Sequence, residues 1–536
     1  VSRVAGGSRR ADGAAPTPGT GLLYVTTPIY YANAEPHIGH TYTTVVADTL
    51  VRWHRLLGAE AFSVSGTDEH GEKMVEAAAA RGVDPAVFTA EVSAAFQHTW
   101  AELGIAPDAF VRTTNPDHVR NVQAILQKVW DAGWIEQREY DGLYCVGCER
   151  FLTERDLVDG LCRDHERAPE ARRESNYFFS MSREFAWLRA HIERHPEFIT
   201  PERYRNEALA MLRDESGLGD LSISRPKSRL DWGVELPFDR GHVCYVWFDA
   251  LISYLTGAGY PDDPAFTARW DAVEHLIGKD ILKPHAIFWP IMLKAMGLPP
   301  YRRLHVHGYW NVDNRKVSKS LGNMVSPLRM RDKYGFEAFR YFLLREMSFG
   351  LDAGFSEEAL TLRVNADLAN NLGNLVSRTL NLVAKWCEGR VPVPGTEGDA
   401  EHAVAAAAAG TTDAVAAAMS ALRPHDALAA IIDFASTVNR YLDTQAPWKA
   451  AKQPGGEALV RTSLATACRA LRTLALLLGA FLPEAAQGIA ERLGVPDLLA
   501  GTRLPDAARA WGALAPGTPI DKGSPLFPRI ETRMEG

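Results

Sequence analysis

Two histidines three residues apart, His37 and His40 in Pro36-His37-Ile38-Gly39-His40, stand where an apolar run from Leu22 to Tyr31 gives way to a helical pattern. The run reads as a buried strand, and Thr41 to Leu57 carries Val45, Leu50, Trp53 and Leu57 at helical spacing, so both imidazoles fall at a helix N-terminus. Unpaired backbone N–H groups and the positive end of the helix dipole favour an anion there, and residues three apart project from one face. Gly39 has no Cβ, so a flat purine can lie against the backbone. Alone, such a pair is an ordinary capping arrangement. A second segment, Lys316-Val317-Ser318-Lys319-Ser320, changes the reading: two ammonium groups three apart on a loop between Gly308 and Gly322 suit a triphosphate whose charge rises as pyrophosphate leaves. Together the segments specify ATP chemistry, with His37, His40, Lys316 and Lys319 as candidate catalytic groups and His37, Gly39, His40 and Lys319 on the nucleotide.

A third cluster has the spacing of a metal site. Cys145-x2-Cys148 and, after thirteen intervening residues, Cys162-x2-His165 supply four soft ligands in two knuckles, which predicts one tetrahedral zinc. All four positions are protein ligands, leaving none open for substrate or activated water, so the metal is expected to be structural. The chain has 6 cysteines. Cys244, Cys387 and Cys468 read as core residues, and so few thiols in a long chain argue against a secreted disulfide framework and for a reducing cytoplasm.

With these motifs in place the chain resembles the class I aminoacyl-tRNA synthetases, and among them the methionyl-tRNA synthetase family. The resemblance runs from about Leu22 into the helical C-terminal region and is carried by Thr27-Pro28-Ile29-Tyr30-Tyr31, Gly66-Thr67-Asp68-Glu69-His70-Gly71, Tyr245-Val246-Trp247-Phe248-Asp249-Ala250-Leu251 and Ile277-Gly278-Lys279-Asp280. It departs at Val317, where the family usually has Met; both lysines remain. The resemblance implies activation of L-methionine by ATP and its transfer to initiator and elongator tRNA-Met. It also implies that Pro28, Ile29 and Tyr31 line one side of a methionine pocket, that Trp247, Ala250, Leu251 and Tyr254 line another, that Ile281 and His285 close its end, and that Asp68 pairs with the substrate ammonium. A thioether offers little to hydrogen-bond, so shape must select it: one methylene is worth only ~1–3 kcal/mol, and sulfur–aromatic contacts add a little. The metal spacing is similar to the family's single-knuckle form, in which the insertion helps position the acceptor end of tRNA.

On the adenosine side, Gly278 allows close approach at a strand end and Asp280 offers a carboxylate; Glu235 is a weaker candidate. The substrate carboxylate is itself the nucleophile, so positioning and charge stabilisation suffice, with magnesium held largely by the phosphates. Asn374 and Arg378 lie four apart on a predicted helix, and Pro447-Trp448 starts another; an indole that stacks an unpaired base beside Asn and Arg reading its edges is how single-stranded RNA is recognised. In the family the matching positions read the anticodon.

The elements that must hold these residues follow from pattern. Residues 1–21 read as a disordered tail and 22–119 as the first half of a Rossmann-like parallel α/β sheet. Residues 120–242 form an insertion with the zinc knuckle, 243–300 the second half of the sheet, and 301–355 a stem-contact region with the lysine loop. An α-helical anticodon-binding bundle spans 356–505, broken at Val391-Pro392-Val393-Pro394-Gly395, and 506–536 is a Pro-rich closing segment. No apolar run approaches a membrane span, and no membrane partner is expected. A net charge of −8 argues against a nonspecific nucleic-acid coat, but Tyr301 to Arg345 holds ten Lys or Arg against three Asp or Glu, a local patch able to follow phosphate. Leucyl, isoleucyl and valyl enzymes carry an editing insertion for which this chain has no room, and cysteinyl enzymes place zinc at the amino-acid site. A noncatalytic tRNA-binding paralogue would not need the intact histidines and lysines, nor a small-molecule nucleotidyltransferase the long helical region. The chain ends soon after the bundle, which points to a monomer.

Overall fold

Six parallel strands, β1 (Leu23–Tyr31), β2 (Ala61–Asp68), β3 (Ala109–Arg112), β4 (Ile199–Thr200), β5 (Val273–Gly278) and β6 (Arg303–His307), lie side by side in the order β3-β2-β1-β5-β6-β4. This is a computed structural model, which describes residues 21–146, 150–152, 156–163, 166–214, 218–312, 315–316 and 324–531; the tail expected for 1–21 lies, apart from Gly21, outside them. β1 and β5 are central, buried and rich in branched residues, as strands covered on both faces must be. They pair directly, Tyr24 with Val273 and Thr26 with His275, although much of the chain separates them. From β1 the sheet grows one way to β2 and β3, then resumes on the other side with β5 and β6. The carboxyl ends of β1 and β5 therefore flank the switch in strand order, where open α/β sheets leave a crevice.

Helix α1 (Ile38–Leu56) follows β1 and buries Ile38, Tyr42, Val45, Val46, Leu50 and Trp53. Helix α2 (Val246–Ala258) follows the insertion and lies against β2 so closely that a Cβ on Gly257 would stand 2.6 Å from Val64 Cγ1. The insertion contains an antiparallel four-stranded sheet ordered Leu221–Ser222, Glu170–Phe179, Ile135–Cys145 and Arg150–Leu152. It also supplies β4, whose Ile199 and Thr200 pair with Leu304 and His305. The sequence pattern treated 120–242 as separate from the parallel sheet; a two-residue strand is too short to show a period of two.

After β6 the chain forms Trp310–Val312, paired antiparallel with Arg315–Lys316 and parallel with Ala353–Phe355. Helix α3 (Phe336–Glu346) then packs beside α1. The remainder is helical: α4 (Asn374–Trp386), Asp399–Ser420, Pro424–Gln445, a short Pro447–Ala450, the central α5 (Glu457–Leu478) and α6 (Pro483–Arg492). Asp399–Ser420 corrects one expectation, because it is long and apolar enough to span a membrane by length and composition. Its apolar character comes largely from alanine, and it packs against Pro424–Gln445 and α5. The closing segment returns along the bundle, where Asn365 and Ile530 exchange two hydrogen bonds of 2.9 Å.

Candidate active site

His37 is the N-cap of α1. Gly39 N–H donates to His37 Nδ1 at 3.1 Å, and His37 N–H donates to His40 Nδ1 at 3.3 Å. Each ring accepts at Nδ1, which places the proton of the neutral imidazole on Nε2, so both rings can donate to an anion at the helix start. The rings stack with centroids 3.8 Å apart. Burial, and then the neighbouring His37, hold the His40 pKa well below the usual imidazole value, so it is a neutral donor. Gly39 makes room for the cap itself: a Cβ there would lie 3.0 Å from His37 Cε1.

These imidazoles open on a cavity of about 280 Å³ at the carboxyl ends of β1, β2, β5 and β6. Larger cavities of about 710 Å³ behind α1 and about 1630 Å³ beside α6 are not lined by the histidines. Pro28, Ile29 and Tyr31 of β1 line one side, and Trp247, Ala250, Leu251 and Tyr254 of α2 face them. Gly278, Asp280, Ile281 and His285 continue the lining beyond β5, and Asp68, 3% exposed, ends β2. The structure thus brings together around one cavity every residue proposed from sequence for the histidine motif, the adenosine side and the methionine pocket, except Glu235 and the lysines. Glu235 is exposed on a short strand of the insertion, bonded to Lys227, and does not line the cavity.

The end wall has a fixed tautomer. His285 Nδ1–H donates to the Ile281 carbonyl at 2.9 Å, so Nε2 accepts the Tyr254 hydroxyl at 2.7 Å. Burial pushes the His285 pKa down to about 4, so the ring stays neutral. Trp247 meets Tyr31 edge-on at 6.5 Å and His285 at 6.2 Å. The loop just after Asp68 is held from behind: Glu69 accepts two bonds from Arg112 at 2.7 and 2.9 Å, and Trp232 Nε1–H donates to the Glu69 carbonyl at 2.6 Å.

Tyr30, Thr43, His307, Gly308, Tyr309 and Trp310 also line the cavity and escaped the sequence reading. His307 Nδ1–H donates to the Gly308 carbonyl and its Nε2 accepts from Thr43, both at 2.7 Å, which ties the end of β6 to α1. For His307 to Trp310 the signal was their place at and just past the end of an apolar run beside the Gly278 strand, the position that binds ligands in such sheets.

Lys319 lies outside the described residues, and Lys316 is placed only by its backbone, on the strand Arg315–Lys316. Of the metal candidates, Cys148 and His165 also lie outside them. Cys145 and Cys162, each 2% exposed, share a small apolar cluster with Leu152. Each begins a tight reversal: Cys145 pairs with Arg150, and Glu166 N–H donates to the Cys162 carbonyl at 2.8 Å. In the helical region Arg378 places its guanidinium 4.4 Å from the Trp448 ring centroid and pairs with Asp443 at 2.5 Å, while Asn374 is exposed one turn away. The basic patch loses a member, since Arg340 is 1% exposed and bonded inside.

A family model described as tRNA synthetases class I (M) matches residues 23–167 and 155–380, and one described as the anticodon binding domain of methionyl tRNA ligase matches 391–535. The chain is 44% identical over 522 residues to a methionine–tRNA ligase of Deinococcus radiodurans, covering 96% of this chain and 75% of that protein. It is 42% identical over 534 residues to the Streptomyces coelicolor methionine–tRNA ligase, covering 96% and 98%. The Mycobacterium tuberculosis methionyl-tRNA synthetase bound by methionyl-adenylate superimposes with a TM-score of 0.89 at 40% identity, covering 95% of this chain and 100% of that one. The apo form of that enzyme gives a TM-score of 0.84 at 37% identity, covering 96% and 99%.

Proposed function

The chain belongs to the class I methionyl-tRNA synthetases, and from that membership we propose the part each of its residues takes in the reaction. The enzyme activates L-methionine with ATP to methionyl-adenylate and transfers methionine to the 3′ end of tRNA-Met. A methionine carboxylate oxygen attacks the α-phosphorus, the bond to the bridging oxygen breaks, and pyrophosphate leaves with the electron pair. A ribose hydroxyl of the terminal adenosine then attacks the adenylate carbonyl and AMP departs.

The observation that carries the assignment is the convergence on one cavity of two neutral Nε2–H donors at the start of α1 with the strand ends of β1 and β5. His37 and His40 donate to phosphate oxygens as charge develops, with Lys316 and Lys319 meeting the departing pyrophosphate. Asp68 receives the methionine ammonium, and Gly278 and Asp280 receive the adenosine. The side chain lies between Tyr31 and Trp247 and ends at Tyr254 and His285, whose locked hydrogen bond makes a wall of fixed shape. Magnesium accompanies ATP, held mainly by the phosphates.

Cys145, Cys148, Cys162 and His165 hold one zinc. The two described cysteines fit it, since both thiols are buried in one small cluster and each starts a reversal of the kind that wraps a metal. The ion supplies no chemistry to the reaction; it folds the tip of the insertion that guides the acceptor end of tRNA. Asn374, Arg378 and Trp448 read the anticodon of initiator and elongator tRNA-Met, supported by the contact of Arg378 with the indole. The enzyme works as a monomer in the cytoplasm. An ATP–pyrophosphate exchange screen with twenty amino acids tests the activity: methionine alone should support exchange, and exchange with cysteine instead, or with none, overturns the assignment.

A further inference from the structure

Arg340 is a buried cation on α3, and its partners come from two other, widely separated parts of the chain. From α3 its Nη1 pairs with Asp48 at 2.5 Å and its Nη2 donates to Thr49 Oγ1 at 2.9 Å, both on α1. Its Nε donates to the Phe481 carbonyl at 2.6 Å and Nη2 to the Ala480 carbonyl at 3.1 Å, in the turn between α5 and α6. One turn earlier on the same face, Glu337 accepts N–H bonds from Glu484 at 3.2 Å and Ala485 at 3.0 Å, at the start of α6. Thus α3 offers a cation just past the negative end of α5 and a carboxylate at the positive end of α6, the favourable sense at both. Burial outweighs the two N–H bonds and the Arg340 charge, which pull the other way, and leaves the Glu337 carboxyl raised to about 7.

We propose that Arg340 is a positioning residue for adenylate formation, fixing the histidine helix α1 through Asp48 and Thr49 only while the α5–α6 turn of the helical domain is docked on α3. Asp48 lies two turns along α1 from His40, about 12 Å of rigid helix. A small rotation at Asp48 moves the two Nε2–H donors against the phosphates, whereas the methionine walls stand on β1 and α2, which Arg340 does not touch. The inference rests on the methionine-activating role of the cavity.

The test uses the full chain with Asp48→Asn and Arg340→Lys, assayed by methionine-dependent ATP–pyrophosphate exchange at pH 8, well below each variant's unfolding temperature, with active sites counted from the adenylate burst. Turnover per active site should fall roughly tenfold or more, since small misplacements of catalytic groups have large effects. The KM for methionine should stay within about twofold, the signature of a transition-state interaction. Thr49→Val loses the Arg340 bond, together with the hydroxyl's own bond to the Val45 carbonyl on the same helix, and keeps the charge pair; its turnover should fall about two- to fivefold by the same reasoning, even if the charge variants do not fold. Arg52→Gln removes the other, solvent-facing partner of Asp48 and should leave turnover unchanged. Unchanged turnover per site in the Asp48, Arg340 and Thr49 variants, or a loss accounted for by fewer active sites, makes Arg340 a purely structural tie and overturns the proposal; an equal effect of Arg52→Gln does the same. Absence of exchange in the parent protein would instead overturn the functional reading.

Discussion

Asp249 of α2 and His70, in the loop after β2, are joined by a 2.7 Å hydrogen bond behind the cavity proposed to take methionine. The other Asp249 oxygen bonds His118 Nε2 at 2.8 Å. One carboxylate therefore locks the loop that follows Asp68 to the helix that carries Trp247 and Tyr254, and sets the distance between two walls of the cavity. Burial alone would raise the Asp249 pKa, but the charges of and bonds from His70 and His118 outweigh it and hold the carboxyl at about 2. A depressed acid pKa gives stability that is present above the ordinary carboxyl value near 4 and lost as pH falls through about 2. Asp249→Asn should raise the KM for methionine roughly tenfold, about 1.4 kcal/mol, with a smaller change in turnover. Its stability deficit, measured by urea unfolding, should be full at pH 7 and shrink between about pH 4 and pH 2. A deficit that grows on acidification contradicts the assignment.

His37 has two functions that substitution can separate. Asn is a favoured N-cap and can accept the Gly39 N–H bond that His37 Nδ1 now takes, but it has no counterpart to Nε2–H. His37→Asn should therefore keep the unfolding temperature while lowering the turnover of methionine-dependent exchange roughly a hundredfold, the scale of losing one transition-state donor. His40→Ala should likewise reduce turnover far more than methionine affinity. Equal losses in both would move the histidines from charge stabilisation to ground-state binding.

Much of this site was legible because its parts are contiguous in sequence. A histidine pair at a strand-to-helix change and a lysine pair on a glycine-flanked loop carry their chemistry locally. Tyr254 and His285 became legible only through resemblance, since nothing in their own segments says that one hydroxyl meets one imidazole across 31 residues. His307 and Tyr309 stayed hidden because they reach the cavity through the parallel pairing of β6 with β5, which no local period encodes. Arg340 was misread as part of a surface patch. Its neighbours in sequence do not differ from those of a solvated arginine, and the carbonyls it binds lie 140 and 141 residues away.

The zinc assignment separates folding of the insertion tip from chemistry in the cavity. Cys148→Ser removes one ligand of four and should lower zinc content towards zero by elemental analysis, because a closed tetrahedral site tolerates loss of a thiolate poorly. Charging of tRNA should fall while methionine-dependent exchange persists, since among the described residues none of the cavity lining comes from the knuckle. Wild-type protein purified without zinc would refute the site.

Trp448 sits by the start of α5, the end opposite the turn that Arg340 ties to the histidine helix. Its short helix abuts the start of that helix, where a Cβ on Gly456 would stand 2.0 Å from the Ala450 carbonyl, and Arg340 grips the turn beyond the other end. A 22-residue helix spans about 33 Å. Trp448→Ala should therefore leave exchange near normal while aminoacylation efficiency falls roughly ten- to a hundredfold, matching ~1–3 kcal/mol of base stacking. Raising tRNA concentration should restore charging. Because Arg378 lies over the indole, Arg378→Ala combined with Trp448→Ala should cost less than the sum of the two single changes, as expected for residues in direct contact. If Trp448→Ala loses exchange and charging together, or charges tRNA as well as the parent, the indole only packs the bundle and the anticodon is read elsewhere.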